Sequence, residues 1–260
     1  MEISVTKIAV VMAAGKGTRM KSELPKVLYP VAGRPMIEYV LDVLESVVER
    51  ILVVVGYRSE LVREALANRQ NLQFVEQTEQ LGTGHAVMVC RDHLVGYKGA
   101  LLVLAGDCPM IQSETINKLF DAYYSTNSPD KKIPPCACVL GTAVKDNPTG
   151  LGRIIRDTNG EFINIVEERD ATKEQQLIKE VNMSYYIFHT PDLLNAIGEL
   201  RSNNSQNEYY ITDVPAVLKK QNKKIIASPI LKQIETLGIN TIEEANIVEN
   251  TITQMRNTRS

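Results

Sequence analysis

The 260-residue chain carries no charge excess, few histidines and few cysteines. With 29 Lys and Arg against 31 Asp and Glu, the net charge is −2. No global basic field recruits nucleic acid, so any bound polyanion must be held by a local site. No run of about 18 apolar residues occurs, which excludes a transmembrane helix. The N-terminal "MEISVTKIAVVMAAG" has Glu2 where a signal peptide has positive charge, and its apolar run flows into a glycine loop. The expectation is a cytoplasmic protein without a membrane partner. Four cysteines (Cys90, Cys108, Cys136 and Cys138) fit that compartment as small buried hydrophobes. Cys136 and Cys138 are two apart, so in a strand both would face one side. No second Cys or His pair follows at zinc-ligand spacing. Two phosphate fingerprints are also missing. No Gly-Lys-Ser/Thr stands at the spacing of a Walker loop, and Met20 occupies the third-glycine position of a dinucleotide loop.

What is present is an α/β alternation. Short continuous apolar runs, typical of parallel strands covered on both faces, lie at Lys7–Met12, Ile51–Val55, Leu72–Val75 and Leu101–Ala105. Amphipathic helices are expected at Pro35–Val48, Ser59–Ala67 and Thr83–Leu94. Repeated βαβ units predict a Rossmann-like, doubly wound, mostly parallel sheet whose ligands bind at the carboxyl ends of the strands. The later chain predicts a helix over Ser113–Tyr124, a loop at "NSPDKKIPP" and strands over Cys136–Thr142 and Ser184–His189. A lid-like hairpin is expected around Asn159-Gly160, and helices over Glu208–Gln221 and Thr241–Met255. The organisation is one domain over 1–240, in two halves that meet at about residue 125. A C-terminal helix and tail follow at 241–260.

The stretch "AAGKGTRMKSELPK", Ala13–Lys26, follows the first strand. Gly15 and Gly17 let backbone N–H groups point into one concavity that attracts anionic oxygens. Thr18 adds a hydroxyl. Arg19 supplies a planar fork and Lys26 a point charge, both suited to phosphate. Pro25 fixes the backbone before Lys26. So dense a group of cations suits a triphosphate better than a neutral dinucleotide's diphosphate.

"MAAGKGTRMKSELPKVLYPVAGRPMIEYVLD" resembles the opening of the sugar-phosphate nucleotidyltransferases, closest to their bacterial N-acetylglucosamine-1-phosphate uridylyltransferase branch. Further stretches resemble the same family in the same order: "EQTEQLGTGHA", "LAGDCP", "NPTGLGRI", "IVEERDAT", "NEYYITD" and "LGIN". The resemblance implies transfer of a uridylyl group from UTP to N-acetylglucosamine 1-phosphate, with pyrophosphate released and Mg²⁺ as cofactor. It implies Arg19 and Lys26 as catalytic cations and Ala13, Ala14, Gly15, Gly17 and Thr18 around the nucleotide. Gln77, Gln80, Gly82 and Thr83 would read the base, Gly82 by letting the chain pass beside the ring. Thr83 is also expected to cap the following helix. Gly152, Glu167 and Asn182 would hold the sugar, over a pocket floor including Glu208–Tyr210 and Thr212-Asp213. Asp107 and Asn240 would bind the metal, although each can also be read as a helix cap. The attacking phosphate monoester, with a second pKa of ~6, is already anionic near neutrality, so no histidine base is required. His85 reads as structural.

One departure from the family pattern concerns the sugar. Asn182-Met183-Ser184 stands where the family has Asn-Thr-Gly, and the added bulk is expected to reshape the N-acetyl side of the pocket. Hexapeptide repeats of the acetyltransferase domain are absent, so the expectation is no acetyl transfer and a monomer or weak dimer. The alternatives are another nucleotidyltransferase, using CTP, dTTP or a different sugar phosphate, and a non-catalytic nucleotide-sugar binding module.

Overall fold

A computed structural model describes residues 7–127 and 135–257. Most of the loop expected at "NSPDKKIPP" lies outside the described residues. Strands form at β1 (Ile8–Met12), β2 (Pro30–Val31), β3 (Arg34–Pro35), β4 (Arg50–Val55), β5 (Leu72–Glu76) and β6 (Ala100–Ala105). They continue at β7 (Cys136–Val144), β8 (Arg153–Arg156), β9 (Phe162–Val166), β10 (Glu180–His189) and β11 (Lys224–Ser228). The main sheet runs β11-β7-β10-β6-β1-β4-β5, with β8 and β9 attached through β10. The β1, β4, β5 and β6 neighbours pair in parallel, as do β7 and β11, while β10 runs antiparallel between β6 and β7.

The apolar runs place side chains alternately on two covered faces. Ala9, Val11, Val53 and Leu102 meet one core, while Val10, Leu52 and Val103 meet the other. Helix α1 (Met36–Leu44) covers the first face with α2 (Ser59–Ala65) and α5 (Ser113–Thr126). The second is covered by α3 (Thr83–Met88), α4 (Arg91–Leu94), α7 (Thr190–Ala196) and α8 (Val214–Lys220). A short α6 (Lys173–Gln176) follows the β8–β9 hairpin. The final helix, α9 (Ile242–Asn257), closes a third core with Met20, Met36, Met110 and Ile239.

Three expectations change. The helix expected over Thr83–Leu94 divides into α3 and α4, because the chain tightens where the Cys90 N–H bonds to Val87 O at 3.1 Å. The helix expected from Glu208 begins later, with a 3-10 turn at Ile211–Asp213 and then α8, where Pro215 suits a first turn. Before it, Tyr209 is tied by backbone bonds to Leu81 and Gly84. Finally, Cys136 and Cys138 lie on opposite faces of the sheet. A bulge in the β7–β11 register (Lys224 opposite Cys136, Ile225 opposite Cys138) inserts Ala137 and reverses the alternation.

Candidate active site

Neighbouring β6, β1 and β4 end together, so their following loops meet. Ala13 N–H bonds to Val54 O at 2.9 Å, Tyr57 N–H to Ala14 O at 3.1 Å, and Gly106 N–H to Met12 O at 3.0 Å. Three loops from distant parts of the chain are thereby fastened into one rim.

The glycine loop leaves this rim through a left-handed Gly17 (φ +69), where a Cβ would stand 2.6 Å from Lys26 Cβ. That close approach lays the loop against the stem of Lys26. Thr18–Met20 is a 3-10 turn with Arg19 exposed, whereas Met20 is 1% exposed. The missing third glycine is therefore an apolar peg. Met20 fixes the loop on the α9 core while Arg19 beside it is exposed.

Four chemistry-bearing side chains converge. Lys26 Nζ donates to Asp107 Oδ2 and, at 2.8 Å, to Asn240 Oδ1. Arg19 donates to the same Asn240 oxygen at 3.0 Å. Neither carboxylate nor amide is consumed as a helix cap. Helix α5 begins six residues beyond Asp107, after Gln112. At α9 the capping bonds belong to Thr241 and Glu244: the Glu244 N–H donates to Thr241 Oγ1 at 3.2 Å, and Glu244 Oε2 accepts from Thr241 N–H at 3.1 Å. Glu244 also accepts from the Asn240 N–H at 2.6 Å, leaving the Asn240 side chain to face the cations. This holding role of Glu244 was legible as Thr-Ile-Glu-Glu, a capping-box pattern, but not singled out from sequence.

One carboxylate oxygen and one amide oxygen thus meet a single positive centre, the Lys26 ammonium. Oxygens so arranged fit a hard divalent cation that takes few protein ligands and keeps water or phosphate for the rest. Among the described residues no group of three His, Cys, Asp or Glu gathers to hold a metal by protein ligands alone.

Residues 77–85 form the second part. Gln77 is buried, and its Nε2 donates to Gly82 O at 3.1 Å; Gln80 Nε2 donates to Gln77 O at 2.9 Å. His85 Nδ1 lies 2.9 Å from Glu79 O and braces the loop, as its structural reading expects. Gly82 has φ +108, and a Cβ there would meet Tyr209 O at 2.5 Å. The segment passing closest to Gly82 is the chain's own Glu208–Tyr209 backbone. Thr83 does not cap α3: Gly82 is the cap residue, without a side-chain bond, and Thr83 Oγ1 instead accepts from Ile211 N–H at 3.0 Å. The hydroxyl is engaged in joining the two loops.

The third part brings together Gly152, Glu167 and Asn182. Asn182 N–H bonds to Gly152 O at 2.8 Å, and a Cβ on Gly152 would lie 3.6 Å from both Asn182 Cβ and Glu167 Cδ. Asn182 Oδ1 accepts from the buried Tyr186 hydroxyl at 2.9 Å, a partner that sequence reading missed. Thr212 Oγ1 donates to Glu167 Oε1 at 3.0 Å. Burial pushes the Glu167 carboxyl above the usual range, the Thr212 bond opposes that shift, and Asp213 and Asp170 add to it. Ser184 sits at φ +59, where the β10–β7 register shifts between Asn182 and Tyr185. Serine here holds a left-handed turn that glycine would favour, and bears its strain.

The sequence matches the MobA-like NTP transferase domain over residues 9–147. The chain belongs to that NTP transferase family. It is 43% identical over 238 residues to the bifunctional protein GlmU of Streptococcus thermophilus, covering 91% of this chain and 49% of that protein. It is 41% identical to GlmU of Geotalea daltonii over 233 residues, 89% of this chain and 49% of the relative. The chain spans about half the length of the curated relatives it matches. In fold it is similar to a UDP-glucose pyrophosphorylase solved with UDP-glucose, with TM-score 0.73 and 20% identity over 96% of this chain and 99% of the other. The NTP transferase match includes the glycine loop, Lys26 and Asp107, while Glu167, Asn182 and Asn240 lie beyond it. No described helix is long and apolar enough to cross a membrane.

Proposed function

We propose that the chain transfers a uridylyl group from UTP to N-acetylglucosamine 1-phosphate, giving UDP-N-acetylglucosamine and pyrophosphate. The observation that carries the reading is the convergence of Arg19, Lys26, Asp107 and Asn240, brought from positions up to 221 residues apart. A phosphate oxygen of the sugar 1-phosphate forms a bond to the α-phosphorus of UTP, and the bond from that phosphorus to the oxygen it shares with the β-phosphate breaks, so that this oxygen leaves with pyrophosphate. No proton need be removed from the nucleophile, so the work is positioning and neutralisation of charge. Ala13, Ala14, Gly15, Gly17 and Thr18 receive the nucleotide and its phosphates. Arg19 and Lys26 offset the charge gathering on the leaving oxygens. Asp107 and Asn240 would hold Mg²⁺, which when bound draws phosphate charge away from the reacting centre. Gln77, Gln80 and Gly82 supply amide and backbone groups that match a uracil edge. Gly152, Glu167 and Asn182 take the sugar, so the halves before and after about residue 125 serve nucleotide and sugar respectively.

A matrix of the four nucleoside triphosphates against several sugar 1-phosphates, read by pyrophosphate release, tests the reading. Mg²⁺-dependent release with UTP and N-acetylglucosamine 1-phosphate is expected. Turnover confined to CTP would overturn the uridylyl assignment, and none with any pair would leave a binding module.

A further inference from the structure

Glu235 is fully buried, and among the described residues no salt bridge reaches its carboxylate, although the Lys232 ammonium is close enough to feel its charge. A carboxylate so placed is costly unless hydrogen bonds replace its water. Its Oε1 accepts from Gln112 N–H at 3.1 Å, and its Oε2 accepts from the Thr115 hydroxyl at 2.7 Å and from Lys232 N–H at 3.0 Å. Gln112 and Thr115 lie where the Asp107 turn enters α5, while Lys232 opens the segment that ends at Asn240. The carboxylate therefore joins the two segments that present Asp107 and Asn240. A backbone bond completes the joint beside them: Ile239 N–H donates to Asp107 O at 3.2 Å. Lys232 Nζ adds a peripheral clasp, donating to Gln112 Oε1 at 3.0 Å.

We infer that Glu235 is a positioning residue that sets the separation of Asp107 and Asn240 and so the affinity of the site for a divalent cation. The inference rests on the functional reading above for its link to the metal, though the brace itself does not. Among the described residues, the Glu235 carboxylate is bonded to Gln112, Thr115 and Lys232, and not to the glycine loop or the Gly152–Glu167–Asn182 group. Its loss should act on the metal before it acts on the sugar. Supports one step removed from a metal typically alter its affinity by about 10–100-fold.

Glu235→Gln keeps size and removes the charge and one acceptor, leaving one buried N–H without its partner. Thr115→Val removes a single bond and is the milder variant should the first not fold. Two measurements are made: amide hydrogen exchange at Ile239 in the free protein, and the Mg²⁺ concentration giving half-maximal pyrophosphate release. Faster exchange at Ile239 is expected, with the half-saturating Mg²⁺ raised by about tenfold or more and KM for the sugar phosphate within about twofold of wild type. Unchanged exchange together with an unchanged Mg²⁺ requirement would overturn the role. So would a uniform rise in every KM with a lowered melting temperature, the mark of general loosening. If the wild-type chain releases no pyrophosphate at all, the functional reading fails. Exchange at Ile239 then still decides whether Glu235 braces the two segments.

Discussion

Lys26 illustrates how one side chain can be read from sequence in type but not in partners. Its charge and the proline before it mark a phosphate ligand. The structure adds that its ammonium lies between Asp107 and Asn240. Asp107→Asn keeps the shape and a hydrogen-bond acceptor while removing the charge. It should cut pyrophosphate release by about 10²–10³ with little change in melting temperature, as removal of one transition-state charge contact does. Full activity would remove Asp107 from the metal site. Glu167 gives a prediction in pH. Its folded-state pKa is raised above the ordinary 4.5, chiefly by burial. The folded chain thus keeps this proton to higher pH than the unfolded chain, and stability falls as pH rises above 4.5 until the folded value is passed. Glu167→Gln removes that loss. Its melting temperature relative to wild type should be higher at pH 7 than at pH 4, while KM for the sugar phosphate rises. A variant equally shifted at both pH values would contradict the burial argument.

At the scale of elements, two backbone positions with positive φ lie in the candidate site. Gly82 lies against the Glu208–Tyr209 backbone at a φ that side chains rarely adopt. Gly82→Ala should cost more than the ~1–2 kcal/mol of left-handed strain, since a backbone oxygen must also move. Ser184 is the opposite case. It holds the left-handed turn in β10 with a side chain where glycine would rest without strain. Ser184→Gly should raise unfolding stability by up to about 1 kcal/mol, the relieved strain being partly offset by greater freedom of the unfolded chain. Urea midpoints of the two variants should move in opposite directions. Strands β1, β4 and β6 were legible because continuous apolar runs bounded by turn residues are strong signals. The start of α8 and the break between α3 and α4 were not, because backbone bonds to distant segments and local tightening decide them.

Across the whole molecule, α9 belongs to the site as much as to the end of the chain. Ala245, Val248 and Ile252 pack with Met20 of the glycine loop and Met110 and Ile239, which lie beside Asp107 and Asn240 in sequence. Ile252→Ala should destabilise by about 2 kcal/mol or more. It should also weaken nucleotide use, since Met20 loses part of its seat. Thiol titration offers an independent check on the packed sheet. All four cysteines are buried, and burial pushes the Cys90 and Cys136 thiols to about 12 and about 11. A disulfide reagent at pH 8 should find almost no reactive thiol in the folded chain and four after denaturation. Rapid reaction of the folded chain would mean that the sheet faces open far more readily than their packing implies.

Local order was determined by the sequence itself: the alternation of strand and helix, the glycine loop after β1, and the cations that suit it to phosphate. These follow from side-chain period, turn chemistry and charge, which act over a few residues. The Thr-Ile-Glu-Glu cap of α9 was open to the same reading. Only the tertiary structure decided that Asn240 turns its side chain to Lys26 and Arg19, that Thr83 serves Ile211, and that Cys136 and Cys138 face apart. It also decided that Glu235 joins the segments of Asp107 and Asn240. Each of these depends on a bond or register between residues far apart in the chain, and no local pattern carries that distance.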